Sequence, residues 1–132
     1  MTTQTMAPTT APSWLRPVLR GNALFCAACG LEALIGGQGL AAWMGIPAMM
    51  MLLLGVGLVG YGLILWRLGG SPTPAIVRFV TALDVAWIVG TMVLLLVPIL
   101  PLTDAGKIVI DVIAFITAGF AIAQYIGLRR MS

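Results

Sequence analysis

The sequence predicts an all-α polytopic membrane protein, a four-transmembrane-helix up-down bundle with both termini on one side. Three observations predict it. The first is composition: of 132 residues, 61% are hydrophobic and 8% charged, against about 45–50% apolar and about 25% charged in a soluble domain. So few charges cannot give a small domain a polar skin, and the surplus apolar surface must face lipid. The second is a series of apolar runs, each about 20 residues long, the length that crosses a hydrocarbon core of about 30 Å at 1.5 Å per residue. The third is the placement of cations at the ends of those runs.

The elements follow in order. Residues 1–13 are rich in Thr, Pro and Ala and uncharged, and are expected to form a disordered N-terminal tail. With no basic residue before Arg16, they do not read as a signal peptide. Trp14, Leu15, Arg16, Pro17 and Arg20 mix an aromatic with cations, as the membrane–water interface favours. From there residues 14–132 are read as one transmembrane domain, with helices expected over about 21–42, 48–68, 79–100 and 108–128. Lipid offers no partner to free backbone groups, so each run must be helical. Gly45-Ile46-Pro47 separates the first two, and Gly69-Gly70-Ser71-Pro72-Thr73-Pro74 the next two. Thr103 or Asp104 can cap the fourth. Short connections predict antiparallel neighbours.

Arg16, Arg20, Arg67, Arg78, Arg129 and Arg130 all fall on one side of this arrangement, leaving Lys107 alone on the other. The cation-rich side is expected to be cytoplasmic, with both termini inside a bacterial inner membrane. The basic residues thus serve orientation, and no nucleic-acid partner is expected. There is no histidine, which removes the commonest metal ligand and the usual proton shuttle. No cofactor or metal is expected.

Polar groups at membrane depth are the candidate sites, because charge there is costly. Glu32 lies about 16 Å along the first run, counted from Gly21, close to the midplane. A neutral Glu at that depth is expected to hydrogen-bond across helices. Asp84 lies about 9 Å inside the third run, counted from Arg78. Arg20, Asn22, Arg78 and Gln124 share its depth, which predicts a polar cluster locking the first, third and fourth helices. Asp111 follows Lys107 by four residues, a spacing that permits an ion pair.

Small residues recur at four-residue spacing as Ala82, Ala86 and Gly90, and as Gly119, Ala123 and Gly127. Such stripes are expected to pack helices closely, within the bundle or against a second membrane protein, another copy included. Gly55, Gly57, Gly60 and Gly62 crowd the second run, but no βαβ unit can exist there to make them a dinucleotide motif. Cys26-Ala27-Ala28-Cys29 is a formal C-x-x-C inside regular helix. It reads as packing, since a redox pair sits at an accessible helix start.

Leu19-Arg20-Gly21-Asn22-Ala23-Leu24-Phe25, Ala82 to Gly90 and Gln124 to Arg130 together resemble a group of small, uncharacterised four-helix bacterial inner-membrane proteins. That resemblance implies a fold and a compartment, and no activity. Size, helix number and an acid in the first helix are weakly similar to the small multidrug resistance transporters. The cation bias and the residues around Glu32 depart from theirs. Cys26 and Cys29 give some similarity to four-helix quinone-linked disulfide enzymes, whose cysteines work on the outer side. The orientation read here puts these two in the inner half.

No Ser/His/Asp set, phosphate loop or paired carboxylates in a cleft is present. The sequence therefore points to a structural or accessory, non-enzymatic membrane protein. The alternative is a proton-coupled transporter or channel subunit with Glu32 as its titrating group. A third reading is a membrane redox protein using Cys26 and Cys29.

Overall fold

The computed structural model describes residues 11–131. These form α1 (Leu15–Met44), α2 (Ala48–Leu68), α3 (Pro74–Leu96) and α4 (Asp104–Arg130), with no strand among the described residues. All four are long and apolar enough to cross a membrane. Ile35, Phe115 and Leu96 are 83%, 82% and 76% exposed. Large apolar side chains exposed around every helix fit a hydrocarbon solvent, not water.

The helices begin and end at signals that the apolar runs alone do not reveal. α1 starts at Leu15, six residues before Gly21, because Leu15 and Leu19 are fully buried. Pro17 sits in its first turn, where a missing N–H costs nothing. α3 starts at Pro74 rather than near residue 79: Pro occupies its first position, and the Thr73 hydroxyl accepts from the Ile76 N–H at 3.3 Å. It ends at Leu96, since Val97 precedes Pro98 and is held extended. Of the tail expected over residues 1–13, residues 1–10 lie outside the described residues, and Ala11 is already packed against the core.

α1 is not one regular helix. Gly37 has φ 52° and ψ −136°, a conformation essentially confined to glycine. The surrounding Gly36-Gly37-Gln38-Gly39, three glycines in four residues, has a weak helix preference. The kink divides α1 into a long N-terminal part and a two-turn C-terminal part that carries Ala41, Trp43 and Met44.

The closest packing is between α1 and α2. A Cβ on Gly30 would lie 2.7 Å from the Gly55 carbonyl oxygen, and one on Gly62 would lie 2.8 Å from that of Ala23. Backbone meets backbone at both points, as small residues allow between membrane helices. α4 packs on both α1 and α3. The small-residue stripes are used only in part within the bundle. Gly127 abuts Leu15, but a Cβ on Gly90 or Gly119 would meet nothing within 4 Å.

Sequential helices do not all pair. α2 and α3, though joined by a short loop, do not pack along their length. They meet at the end that carries both termini, here the near end. There Leu65 of α2 joins Val77 and Val80 of α3, with Leu15, Leu19, Ala23 and Met131, in one buried cluster.

The opposite, far end is closed by a polar latch. Gly45 caps α1 with φ 78°. The Thr103 N–H donates to the Met44 carbonyl at 3.1 Å, and the Thr103 hydroxyl donates to the Trp43 carbonyl at 2.6 Å. The same hydroxyl accepts from the Gly106 N–H at 3.0 Å, which makes Thr103 the cap of α4. Gly106 is pressed against the Met44 backbone so closely that a Cβ would overlap the Met44 carbonyl oxygen.

Candidate functional site

Between the near-end cluster and the far-end latch the bundle is hollow. The larger chamber, about 620 Å³, is lined by all four helices, including Glu32 and Trp43 of α1, Met50 and Leu54 of α2, Gly90 of α3 and Val109 of α4. The smaller, about 220 Å³, lies nearer the termini and is lined by Cys26, Tyr61, Asp84, Trp87 and Thr117 among others. Cys29, Leu58, Trp87 and Ile113 border both, so the two chambers adjoin across a shared wall. Their walls are mostly apolar, and neither chamber is lined by a cation. Because α2 and α3 do not pack together, the side between them is incomplete, and Met50, Ala86 and Gly90 there are exposed. Ala86 and Gly90 border the cavity, and a Cβ on Gly90 would meet no other helix of this chain.

The near end of the cavity stands on a polar triad. The Asn22 amide donates to Asp84 Oδ2 at 2.9 Å and to Gln124 Oε1 at 2.8 Å. The Gln124 amide donates to Asp84 Oδ2 at 2.9 Å and to Thr81 Oγ1 at 3.3 Å. Asn22, Asp84 and Gln124 are all buried. A carboxylate oxygen that accepts two amide protons is held in place without a cation. The triad ties α1, α3 and α4 together at one depth.

Arg20 is not part of it. Its Nε donates to the Trp66 carbonyl at 3.4 Å, and its guanidinium lies over the Trp66 ring at 4.7 Å from the centroid. A long cation near a helix end reaches for the interface, where water and an aromatic face both stabilise it. Lys107 and Asp111 form no ion pair with each other.

Glu32 does not bridge helices either. It is exposed, borders the larger chamber and makes no hydrogen bond among the described residues. The expectation of an interhelical bond fails because α1 presents this side chain to the cavity, where no neighbouring side chain reaches it.

Cys26 and Cys29 are free and half-buried, and both face the smaller chamber. The Cys26 thiol donates to Asn22 Oδ1 at 3.5 Å, a weak contact. Replacing both with Ala is expected to leave the melting temperature within a few degrees of wild type. Oxidant is expected to leave the electrophoretic mobility of the wild type unchanged. A redox-dependent shift that disappears in the double variant would establish a thiol function.

Two residues of the site escape a search for charges. The Tyr61 hydroxyl and Trp87 Nε1 are buried and have no hydrogen-bond partner among the described residues. The available signal is position: membrane Trp and Tyr concentrate at the interfaces, and these two lie well inside their helices.

The fold and site define a class, a multi-pass integral membrane protein with a cavity inside its helix bundle. Comparison of the chain with protein-family models, curated proteins and solved structures finds no match.

Proposed function

We propose that this chain is a non-enzymatic protein of the bacterial inner membrane that binds a lipophilic molecule inside its bundle. The observation that carries the reading is the cavity of about 620 Å³, apolar, walled by four helices and open between α2 and α3. Binding sites for small molecules are typically concavities of about 300–1,000 Å³ with mainly apolar walls and few polar groups. A gap between two membrane helices is an entrance from hydrocarbon.

Gly90→Phe tests it. Gly90 borders the cavity, and a Cβ there would meet no neighbouring atom within 4 Å. Hexadecane or hexadecan-2-one added to the micelles is expected to raise the melting temperature of the wild type, since a ligand of the folded state stabilises it. The filled variant is expected to show no rise. Equal responses in both proteins would defeat the reading.

A second reading has its own observation. Glu32 borders the chamber and has no hydrogen-bond partner among the described residues, as a group that exchanges a proton with cargo requires. In that case purified protein in vesicles performs proton-driven flux that Glu32→Gln abolishes while folding is kept.

Orientation belongs to the same proposal. Arginines concentrated at the near end support a cytoplasmic position for both termini. Reporter fusions after Ser132 and within residues 71–74 are expected to report cytoplasm, and fusions near Gly45 or Asp104 periplasm. A periplasmic carboxyl terminus would reverse the assignment.

A further inference from the structure

The two oxygens of the Asp84 carboxyl stand in different surroundings. Oδ2 accepts the amide protons of Asn22 and Gln124. Oδ1 has no hydrogen-bond partner among the described residues. Nor is it closed off by protein atoms, as the Tyr61 hydroxyl and Trp87 Nε1 are. Asp84 is only 4% exposed, and it borders the smaller chamber. Native proteins leave few such groups without a partner, because an unmade buried bond costs more than a made one contributes.

The rest of the lining narrows what could complete that oxygen. The Thr117 hydroxyl donates to the Ile113 carbonyl at 2.8 Å, and the Cys26 thiol to Asn22 Oδ1 at 3.5 Å. Both protons are therefore committed within the protein, and lone pairs are what these groups have left. The polar hydrogens of Tyr61 and Trp87 do not reach the chamber. Cys29 adds a thiol, a weak donor. No Lys or Arg borders the space. An occupant must therefore bring its own donors, and an anion would meet a carboxyl with no cation beside it. A metal ion fits poorly. Hard cations take about six or more oxygen ligands, and no group of three His, Cys, Asp or Glu side chains among the described residues could hold a metal. The walls carry the rings of Phe25, Tyr61 and Trp87. Aromatic rings pack against alkyl groups, and their faces attract cations.

We infer that the smaller chamber binds a small primary alkylammonium, which donates an N–H to Asp84 Oδ1 and lays its alkyl group against the aromatic wall. A volume of about 220 Å³ suits a short amine, not a long chain. Asn22 and Gln124 hold Oδ2, so the carboxyl is fixed while its other oxygen meets the ligand. The site is separate from the larger chamber and does not depend on a lipophile binding there.

The experiment titrates butylammonium, tetramethylammonium, butan-1-ol and butanoate into the full chain in detergent micelles at pH 7, where an alkylamine is protonated. Binding is read by calorimetry and by the rise in melting temperature that a ligand of the folded state produces. Butylammonium is expected to bind wild type about tenfold more tightly than butanol, the usual worth of a hydrogen bond to a charged group. Tetramethylammonium has the charge and no N–H, and is expected to bind as weakly as butanol. Butanoate is expected not to bind. Asp84→Asn keeps an oxygen for Asn22 and Gln124 and puts an NH₂ donor in place of Oδ1. It is expected to weaken butylammonium about tenfold and to leave butanol unchanged. Cys26→Met adds bulk at the chamber wall without altering the carboxyl, and is expected to weaken butylammonium as well.

Absence of butylammonium binding to wild type, or equal binding of butylammonium and tetramethylammonium, would overturn the inference. So would equal butylammonium affinity in wild type and Asp84→Asn, or, if that variant does not fold, in wild type and Cys26→Met. Weakening by Glu32→Gln and not by Asp84→Asn would put the cation in the larger chamber and overturn it too.

Discussion

Asp84→Leu lowers the melting temperature of the detergent-solubilised protein by roughly 10 °C. The substitution removes the oxygen that accepts from both Asn22 and Gln124. Two buried amides then lose an acceptor, at about 1–3 kcal/mol each, although interhelical bonds in membranes often measure lower, near 0.6 kcal/mol. A loss of about 3 kcal/mol lies between these scales and corresponds to the stated shift in a chain of this size. Asp84→Asn is the control, because an amide oxygen still accepts. It is expected to retain most of the stability. A melting temperature unchanged in Asp84→Leu would mean that the triad contributes nothing to holding α1, α3 and α4 together.

The second large effect is Gly106→Ala. In an exposed helix this exchange favours the helix by about 1 kcal/mol. Here the new Cβ would overlap the Met44 carbonyl oxygen, an atom that also accepts the Thr103 N–H. Backbone must move, and overpacking of this kind costs about 1–3 kcal/mol or more. The latch joining the α1–α2 turn to the start of α4 is expected to open, which hydrogen exchange at Thr103 and Gly106 measures directly. Gly119→Ala, on the same helix with nothing within 4 Å, is expected to be neutral or slightly stabilising. Equal melting temperatures for the two variants would show that the latch has enough slack to absorb a methyl group.

What was legible in the sequence divides along physical lines. Four helices could be read because lipid forces backbone bonding within each span. Asn22, Asp84 and Gln124 could be grouped because a buried carboxyl needs donors at its own depth. Arg20 shares that depth but not that partner, since a long cation can reach several places and sequence does not rank them. The Gly37 kink was within reach of the Gly36–Gly39 composition, but glycine is common in membrane helices and does not by itself mark a break. The separation of α2 from α3 could not be seen. Helices apolar on every side do not declare which face meets a neighbour and which meets lipid. The same uniformity hid the cavity, and with it the surroundings of Glu32, Tyr61 and Trp87.

On the proposed binding function, the gap between α2 and α3 fixes the units in which occupancy must be counted. A solute entering there arrives from hydrocarbon, where a lipophile is already concentrated by partitioning. Its mole fraction in the bilayer, not its aqueous molarity, sets the fraction of protein filled. Modest intrinsic affinity is then enough for high occupancy, and transfer from acyl chains to an apolar chamber changes hydration little. Discrimination among lipophiles must come from the few polar contacts and from shape. Diluting the membrane with inert lipid at constant aqueous composition would empty the site as surely as removing the ligand.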